Sequence, residues 1–240
     1  YLGREKIDRR VMFPNLESVE KACVLSDLEK QMLVSPEAPI VLLKRKSDED
    51  SGVSGAVAPL NPYLGVMLPS TPLHHILMDR LGTPMVATSG NIANETICTD
   101  EDEAVTRLRG IADFFLVHNR PIVRHADDSI VREILGSEQM LRRARGYAPL
   151  PTTVKEKMVP MVAAGGYLKN TVAVSKEHNI IVSQHIGDLE STQTALAFEE
   201  TLESLTKLYG IDKSSIVCDS HPDYPSTQWA GKNQNITIPV

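Results

Sequence analysis

The segment Thr88-Ser89-Gly90-Asn91 places two hydroxyls and one amide where an apolar run meets a turn. Hydroxyls, amides and backbone N–H groups that converge at the end of a strand can hold phosphate or carboxylate oxygens. The same residue types are common in ordinary turns, where they bond to their own backbone. The segment is therefore a candidate nucleotide- or carbonyl-binding loop, with a plain turn as the alternative.

Arg142, Arg143 and Arg145 form a dense basic cluster in an otherwise acidic chain. Guanidinium groups bind phosphates in a two-pronged manner and stabilise the charge that develops on a departing pyrophosphate. From the residues alone, two other interpretations stay open: a solvated basic face and an RNA-contacting patch. The cluster is therefore a candidate phosphate site beside those two alternatives.

Two adjacent carboxylates, Asp127 and Asp128, stand directly before Ser129. Carboxylates beside a serine suit a magnesium ion or a water network around phosphates. For neighbouring aspartates, a solvated turn between strands is the common alternative. Asp127 and Asp128 are therefore candidate magnesium ligands, and the sequence assigns no other.

A glycine-rich turn at residues 164–170 contains Lys169 and is expected at the head of a β-hairpin. It is not a Walker motif, since its spacing differs and no Ser or Thr follows the lysine. Its backbone amides could still hold phosphates. Histidines accompany carboxylates in residues 184–189 and 219–224, but a metal site there needs a third ligand that the chain does not obviously present.

The elements that would position these residues alternate between helices and strands. Helices are predicted, from capping residues and periodicity, at residues 16–25, from Ser26 onward, and at 71–81, 100–111 and 192–209. Strands are predicted at residues 39–44, 84–88, 114–117, 122–124, 129–133, 171–175, 180–183, 215–218 and 236–240. A polar turn at 176–179 would separate two of them, and residues 47–55 would form a surface loop. The alternation predicts an α/β fold.

A change in character near residues 147–157 predicts a domain boundary. Pro149, Pro151 and neighbouring threonines favour a stiff, extended connector. We therefore expect one domain over residues 1–152 and a second over residues 153–240. The chain begins with Tyr1 and closes on a predicted strand, so we expect it to be an internal piece of a longer protein.

Composition limits the classes of function. A chain of 240 residues fits one large or two ordinary domains, and 25 basic against 31 acidic residues give a net charge of −6. That charge argues against a general nucleic-acid binder, which needs excess cations to displace phosphate counterions. Three widely spaced cysteines predict neither zinc nor a disulfide framework, so a reducing cytoplasm is expected. No membrane span or signal peptide is predicted.

Taken together, the motifs resemble the HypF family of hydrogenase maturation carbamoyltransferases in order and spacing. The resemblance covers nearly the whole chain and rests on residues 61–69, 71–75, 88–91, 118–120, 127–132, 142–149, 168–170, 183–189 and 219–224. The sequence departs from the family where Arg10 joins Val11 directly, since a Lys-Pro-Phe-Ala-like segment normally precedes Val-Met. Ser70 also stands where the family often has Tyr.

The resemblance implies a YrdC-like domain with a mixed twisted sheet, followed by the start of a carbamoyl-transfer domain of actin-like ATPase fold. It implies an ATP-dependent carbamoyltransferase that forms carbamoyl-adenylate from carbamoyl phosphate and ATP. The carbamoyl group would pass to the C-terminal cysteine of HypE, as precursor of the cyanide ligand of nickel–iron hydrogenases. Magnesium is expected with ATP, and zinc or another divalent metal only in family regions outside this chain.

The resemblance also implies roles for particular residues. Those matched to nucleotide and carbamoyl binding are Lys6, Arg9, Thr88, Ser89, Asn91, Ser129 and Lys169. Arg143 and Arg145 match the segment that meets the phosphates and are the expected catalytic residues. Catalysis would rest on positioning and charge stabilisation, without a covalent enzyme intermediate.

Three alternatives stay open. One is a threonylcarbamoyl-adenylate synthase of tRNA modification, which the matches after Pro151 disfavour. Another is a non-catalytic RNA-binding module using residues 142–145, disfavoured by the acidic balance and by aromatic residues that make up only 5% of the chain. The last is a chain that folds only in part and has no activity of its own.

Overall fold

The computed structural model describes residues 10–46, 52–92, 95–212, 215–233 and 236–239. Within them the chain forms two compact units. The first runs up to Ser89 and takes up Asp128–Gly146 again, whereas the second contains Gly90–Asp127 and the residues from Tyr147 onward. Each unit has its own β-sheet and its own helices, which makes the fold mixed α/β.

The first unit is built on a seven-stranded sheet with the order β5-β1-β4-β3-β6-β7, in which β2 also pairs with β3. Its strands are β1 (Arg10–Met12), β2 (Cys23–Val24), β3 (Ile40–Arg45), β4 (Tyr63–Met67), β5 (Met85–Ala87), β6 (Ile130–Ile134) and β7 (Ser137–Arg142). The pairs β1–β4 and β3–β6 are parallel and the others are antiparallel, so the sheet is mixed.

Three helices of the first unit begin at capping residues that the sequence makes visible. They are α1 (Leu16–Ala22), α2 (Asp27–Val34) and α3 (Pro72–Leu81). Ser26 and Glu29 form the predicted capping box of α2. Thr71 caps α3, and Gly82 ends that helix in the left-handed conformation that glycine adopts without strain. A short 3-10 turn covers Gly55–Val57.

One core cluster of the first unit joins the sheet to α3. Buried side chains from four strands pack with one helical methionine: Met12, Ile40, Leu42, Met67, Met78 and Ile130. Burying a side chain of this size contributes about 1.5–3 kcal/mol each. The cluster fixes α3 over the strands whose ends carry the candidate site.

The second unit has a four-stranded sheet with the order β11-β10-β8-β9. Its elements are α4 (Glu101–Leu108), β8 (Pro151–Ala163), β9 (Ala173–Val182), α5 (Thr192–Tyr209), β10 (Ser215–Cys218), α6 (Pro225–Lys232) and β11 (Ile236–Pro239). The apolar face of α5 contributes Ala197, Phe198, Leu202 and Leu205 to a core shared with the sheet. The helix at 192–209 and the strand at 215–218 are confirmed.

The predicted turn at residues 176–179 is wrong. β9 runs without a break through these residues and pairs antiparallel with β8, with Pro151 opposite Ile181 and Ala163 opposite Ala173. Glu177 has a φ of 55°, and the register shifts around Met158. Pairing with a long neighbouring strand therefore overrides the local turn preference of the polar segment and leaves an irregularity in its place.

Two predicted strands, at residues 114–117 and 122–124, are also wrong. Both stretches are irregular, and Phe114 and Val123 are 93% and 89% exposed. The apolar composition that favours a strand is present, but neither stretch pairs with a strand among the described residues. A strand needs such a neighbour for its hydrogen bonds.

Two further predictions concern the loop at residues 47–55 and the domain boundary. Most of the predicted loop at 47–55 lies outside the described residues. The predicted domain boundary between residues 152 and 153 falls just inside β8 and stays a prediction.

Gly146 is held against a neighbouring turn. It has a φ of 87°, and a β-carbon on it would lie 2.5 Å from the Glu37 carbonyl oxygen. We therefore expect Gly146→Ala to lower the free energy of unfolding by about 3 kcal/mol. Gly136 is a matched control, because its φ is 76° with no atom within 4 Å, so its alanine variant should cost only about 1 kcal/mol. Chemical denaturation measures both, and equal losses would contradict the contact with Glu37.

Candidate functional site

The end of β5 lies beside the start of β1 in the first unit. Ala87, the last residue of β5, pairs with Arg10, and Thr88 and Ser89 follow directly. Thr88 is exposed and Ser89 is half-buried. Neither hydroxyl donates or accepts a recorded hydrogen bond within the described residues, so both are available to a ligand.

Arg10 is a buried arginine in the sheet, with a side chain only 6% exposed. Its Nη1 donates to Asp128 Oδ2 at 3.4 Å. Gly65 lies beneath it, where a β-carbon would be 3.7 Å from Arg10 Cγ and 3.2 Å from Ile40 Cγ2. A buried guanidinium requires an ionic partner, because desolvation strongly disfavours an isolated charge. Asp128 supplies that partner.

Asp128 also binds Arg145. Its Oδ1 accepts from Arg145 Nη2 at 2.8 Å and from Arg145 Nε at 3.3 Å. Arg145 Nη2 donates in addition to the Ala38 carbonyl at 3.3 Å. The Arg145 side chain remains 35% exposed. One carboxylate therefore joins two arginines, and part of the second guanidinium faces outward.

Ser129 is only 1% exposed, and other groups of the chain occupy its hydroxyl. Its Oγ donates to the Arg145 carbonyl at 2.9 Å and accepts from the Ala144 N–H at 2.8 Å. A direct bond from this hydroxyl to a nucleotide does not fit these contacts. In the structure Ser129 instead ties the backbone of residues 144–145 to the start of β6.

The magnesium assignment of Asp128 does not fit the structure, whereas that of Asp127 stays a prediction. Asp128 is already bonded to Arg10 and Arg145, and two guanidinium groups beside it disfavour a divalent cation by like-charge repulsion. Magnesium also needs near-octahedral oxygen ligands. The described residues contain no group of three or more His, Cys, Asp or Glu arranged to hold a metal.

His74 lies on α3 near this ion cluster. Burial lowers the pKa of its imidazole, and the Arg145 guanidinium lowers it further, against a smaller opposing effect of Asp128. Its backbone N–H donates to the Thr71 hydroxyl that caps the helix. The neutral form is therefore favoured beside Arg145.

This lowered pKa predicts a loss of stability in acid. In the unfolded chain His74 takes up a proton near the ordinary pKa of about 6.5, whereas in the folded chain it resists protonation. The contribution of His74 to the free energy of unfolding is therefore fully present above that pH and is lost as the pH falls below it. We expect His74→Gln to show a smaller fall in melting temperature between pH 7.5 and 5.5 than the wild type. His178→Gln, on an exposed residue of β9, is the control. Identical pH profiles for wild type and His74→Gln would count against the assignment.

Asn91 belongs to the second unit, and its amide closes its own loop. Its Nδ2 donates to the carbonyls of Ile92 at 2.9 Å and Glu95 at 3.0 Å. Arg107 of α4 forms ion pairs with Glu95 and Glu103, which fixes the same loop. The Nδ2 group of Asn91 therefore bonds to nearby backbone, as expected for an ordinary turn. Binding of the nucleotide or the carbamoyl group by Asn91 stays a prediction.

Lys169 also belongs to the second unit, in the turn between β8 and β9. Its backbone N–H donates to Asp188 Oδ1 at 2.8 Å, and its φ is 50°. Asn170 closes the turn by donating from Nδ2 to the carbonyls of Ala164 at 3.0 Å and Gly166 at 2.6 Å. The turn is therefore rigid, and phosphate binding by Lys169 stays a prediction.

The remaining predicted residues are placed as follows. Arg143 is half-buried in the first unit, next to the buried Ala144. Lys6 and Arg9 lie outside the described residues. The structure thus brings Ser129 and Arg145 together through hydrogen bonds. Thr88 and Ser89 follow one and two residues after Ala87, the strand neighbour of Arg10.

Sequence reasoning did not identify Arg10 as part of the ion cluster with Asp128 and Arg145, nor His74 as its neighbour. Arg10 directly precedes the apolar Val11-Met12-Phe13, and a charged residue at the start of a buried strand is a usable signal. Its partner stands 118 residues away, which the sequence does not reveal. His74 lies in a helix without a local pattern that distinguishes it from His75.

One cavity of the first unit lies apart from the Arg10–Asp128–Arg145 ion cluster. It has a volume of about 670 Å³, is open to solvent and lies between α1 and α3. Its lining includes Lys21, His75 and Asp79 but none of the predicted site residues. This cavity therefore lies outside the candidate site, which is located by its side-chain chemistry. In the described part of the chain, every helix is too short or too polar to span a bilayer.

Two different families match the two parts of the chain, and the change from one to the other falls close to the change from the first sheet to the second. Residues 6–144 match the Sua5/YciO/YrdC family, described as "Telomere recombination". Residues 156–240 match the HypF Kae1-like domain. The two matches cover most of the chain and leave only residues 1–5 and 145–155 outside.

Curated relatives match along the whole chain. A carbamoyltransferase HypF of Synechocystis sp. is 48% identical over 231 residues, covering 96% of this chain and 30% of the relative. A carbamoyltransferase HypF of Rhizobium leguminosarum bv. viciae is 33% identical over 237 residues, again with 96% and 30% coverage. The chain thus spans about a third of the length of these relatives.

Solved structures agree with the sequence matches. A full-length HypF in a phosphate- and nucleotide-bound form superimposes with a TM-score of 0.90 at 40% identity, over 97% of this chain and 36% of that one. The HypF of T. kodakarensis superimposes with a TM-score of 0.87 at 30% identity, over 94% and 29%. The chain therefore belongs to the HypF family, with a Sua5/YciO/YrdC-type first part and a HypF Kae1-like second part.

Proposed function

We propose that the complete protein carrying this chain is a cytoplasmic carbamoyltransferase of nickel–iron hydrogenase maturation. It uses carbamoyl phosphate and ATP to form carbamoyl-adenylate and passes the carbamoyl group to the C-terminal cysteine of HypE. The observation that carries this proposal is the 48% identity to a carbamoyltransferase over 96% of the chain. Identity of that order extends well beyond a shared fold.

The first unit is proposed to form the adenylate. Water first hydrolyses carbamoyl phosphate to carbamate and inorganic phosphate. A carbamate oxygen then attacks the α-phosphorus of ATP, the bond from that phosphorus to the oxygen bridging to the β-phosphate breaks, and pyrophosphate leaves with the electron pair. Negative charge grows on the departing pyrophosphate, where a fixed guanidinium stabilises it most. The exposed part of Arg145 supplies that group, and Arg143 is proposed to assist it.

The binding residues divide into two groups. Thr88 and Ser89 are proposed to contact the nucleotide or the carbamate directly, since their hydroxyls have no recorded partner in the described residues. Ser129 is proposed to act indirectly, by holding the Arg145 backbone. The remaining proposed binding residues rest on the family resemblance: Lys6, Arg9, Asn91 and Lys169.

The test is exchange of labelled pyrophosphate into ATP by the complete protein. We expect exchange that requires carbamoyl phosphate. Exchange supported by L-threonine and bicarbonate, without carbamoyl phosphate, would instead indicate the tRNA-modification chemistry. Absence of exchange together with RNA binding that weakens with salt would indicate the RNA module. Either result would overturn the proposal.

A further inference from the structure

Asp128 connects residues from three separate parts of the first unit. It accepts from Arg10 in β1 and from Arg145 after β7, and Arg145 in turn donates to Ala38 before β3. Its own side chain is 26% exposed, and that of Arg10 is 6% exposed. The Arg10–Asp128 pair is thus largely shielded from solvent, where its interaction is stronger than at an open surface, whereas the Arg145 side chain is 35% exposed.

The contacts of Arg145 leave one edge of its guanidinium unused. Nε and Nη2 donate to Asp128 Oδ1, and Nη2 donates also to Ala38. Nη1 has no recorded hydrogen bond to a described residue. A guanidinium held through two of its three nitrogens has a fixed plane, so the direction of its Nη1 edge is fixed as well.

We propose that Asp128 is a positioning residue that acts through Arg145. It orients the guanidinium so that the Nη1 edge meets the phosphates of ATP, and it balances one of the two positive charges that would otherwise repel each other. This inference rests on the proposed function and assigns Asp128 to the arginines instead of to magnesium. Asp128 itself touches neither substrate.

A double-substitution cycle in the complete protein tests this coupling. The four proteins are the wild type, Asp128→Asn, Arg145→Ala and the double variant, assayed by carbamoyl-phosphate-dependent pyrophosphate exchange. We expect Asp128→Asn to lower kcat about 10- to 100-fold with little change in the KM for ATP, because displacement of a catalytic group mainly affects the transition state. In the Arg145→Ala background the same change should cost less than about twofold.

Asp79→Asn is the matched control, since it makes the same chemical change on an exposed residue of α3. It should retain wild-type exchange. If Asp128→Asn does not fold, as judged by circular dichroism, Asp128→Glu takes its place in the cycle. That variant keeps the charge and displaces the carboxylate by one methylene, so we expect a smaller loss of kcat with the same dependence on Arg145.

Additive losses in the cycle would overturn the inference, because a purely structural role of Asp128 would lower activity whether or not Arg145 is present. If the wild type shows no exchange, the proposed function fails, and the ATP dissociation constant of the same four proteins decides the inference. Non-additive weakening of ATP binding then supports positioning. Additive weakening, or ATP binding that none of the substitutions changes, overturns it.

Discussion

We expect Arg145→Ala to lower the rate of carbamoyl-phosphate-dependent pyrophosphate exchange by about 10²- to 10³-fold. This is the scale for removing one charge-stabilising donor from a reaction of this kind. The unfolding free energy should change little, because the Arg145 side chain is 35% exposed and Asp128 keeps its bond to Arg10. Steady-state exchange kinetics together with thermal unfolding separate these two effects.

Arg80→Ala is the control for charge, since Arg80 lies exposed near the end of α3. It should retain wild-type exchange. Arg143→Ala should raise the activation free energy of exchange by about 2–4 kcal/mol if Arg143 assists Arg145 at the phosphates. Exchange by Arg145→Ala at the wild-type rate would identify Arg145 as a surface residue and remove the proposed adenylation site.

The largest stability effect is expected at Gly165 in the second unit. A β-carbon there would lie 2.0 Å from the Thr171 carbonyl oxygen, and the φ of 68° is strained for any other residue. That oxygen belongs to the backbone and not to a flexible side-chain end, so the β8–β9 turn would have to open. We expect Gly165→Ala to lower the free energy of unfolding by about 4–5 kcal/mol, the upper range for one substitution.

Gly210 provides the comparison. Its φ is 61°, but the atom nearest to an added β-carbon is Lys176 Nζ at 3.9 Å, the end of a flexible side chain. Gly210→Ala should therefore cost about 1 kcal/mol, the conformational penalty alone. Denaturant unfolding of both variants measures the difference. A loss at Gly165 no larger than that at Gly210 would show that the turn is not closed as described.

Helix ends were the part of the fold most accessible from sequence, because their signals are local. Thr71, Pro72 and Gly82 mark both ends of α3, and Ser26 with Glu29 marks the start of α2. The polar residues 176–179 misled for the opposite reason. Their local preference is a turn, whereas pairing with β8 makes them part of one strand.

The candidate site was accessible only in part. The dense arginine cluster and the Thr-Ser-Gly-Asn segment carry signals in residue type and spacing, so Thr88 and Arg145 could be proposed. The role of Asp128 depends on Arg10, which is 118 residues distant, and burial decides how Ser129 uses its hydroxyl. Neither long-range pairing nor burial of one hydroxyl follows from a local pattern.

The most direct test of the proposed site is a crystal structure of the complete protein with an ATP analogue that cannot be cleaved between the α- and β-phosphates. We predict phosphate oxygens about 3 Å from Arg145 Nη1. We also predict that Asp128 remains bonded to the same guanidinium in that complex. A nucleotide bound only elsewhere, with Arg145 facing solvent, would contradict the assignment of adenylate formation to the first unit.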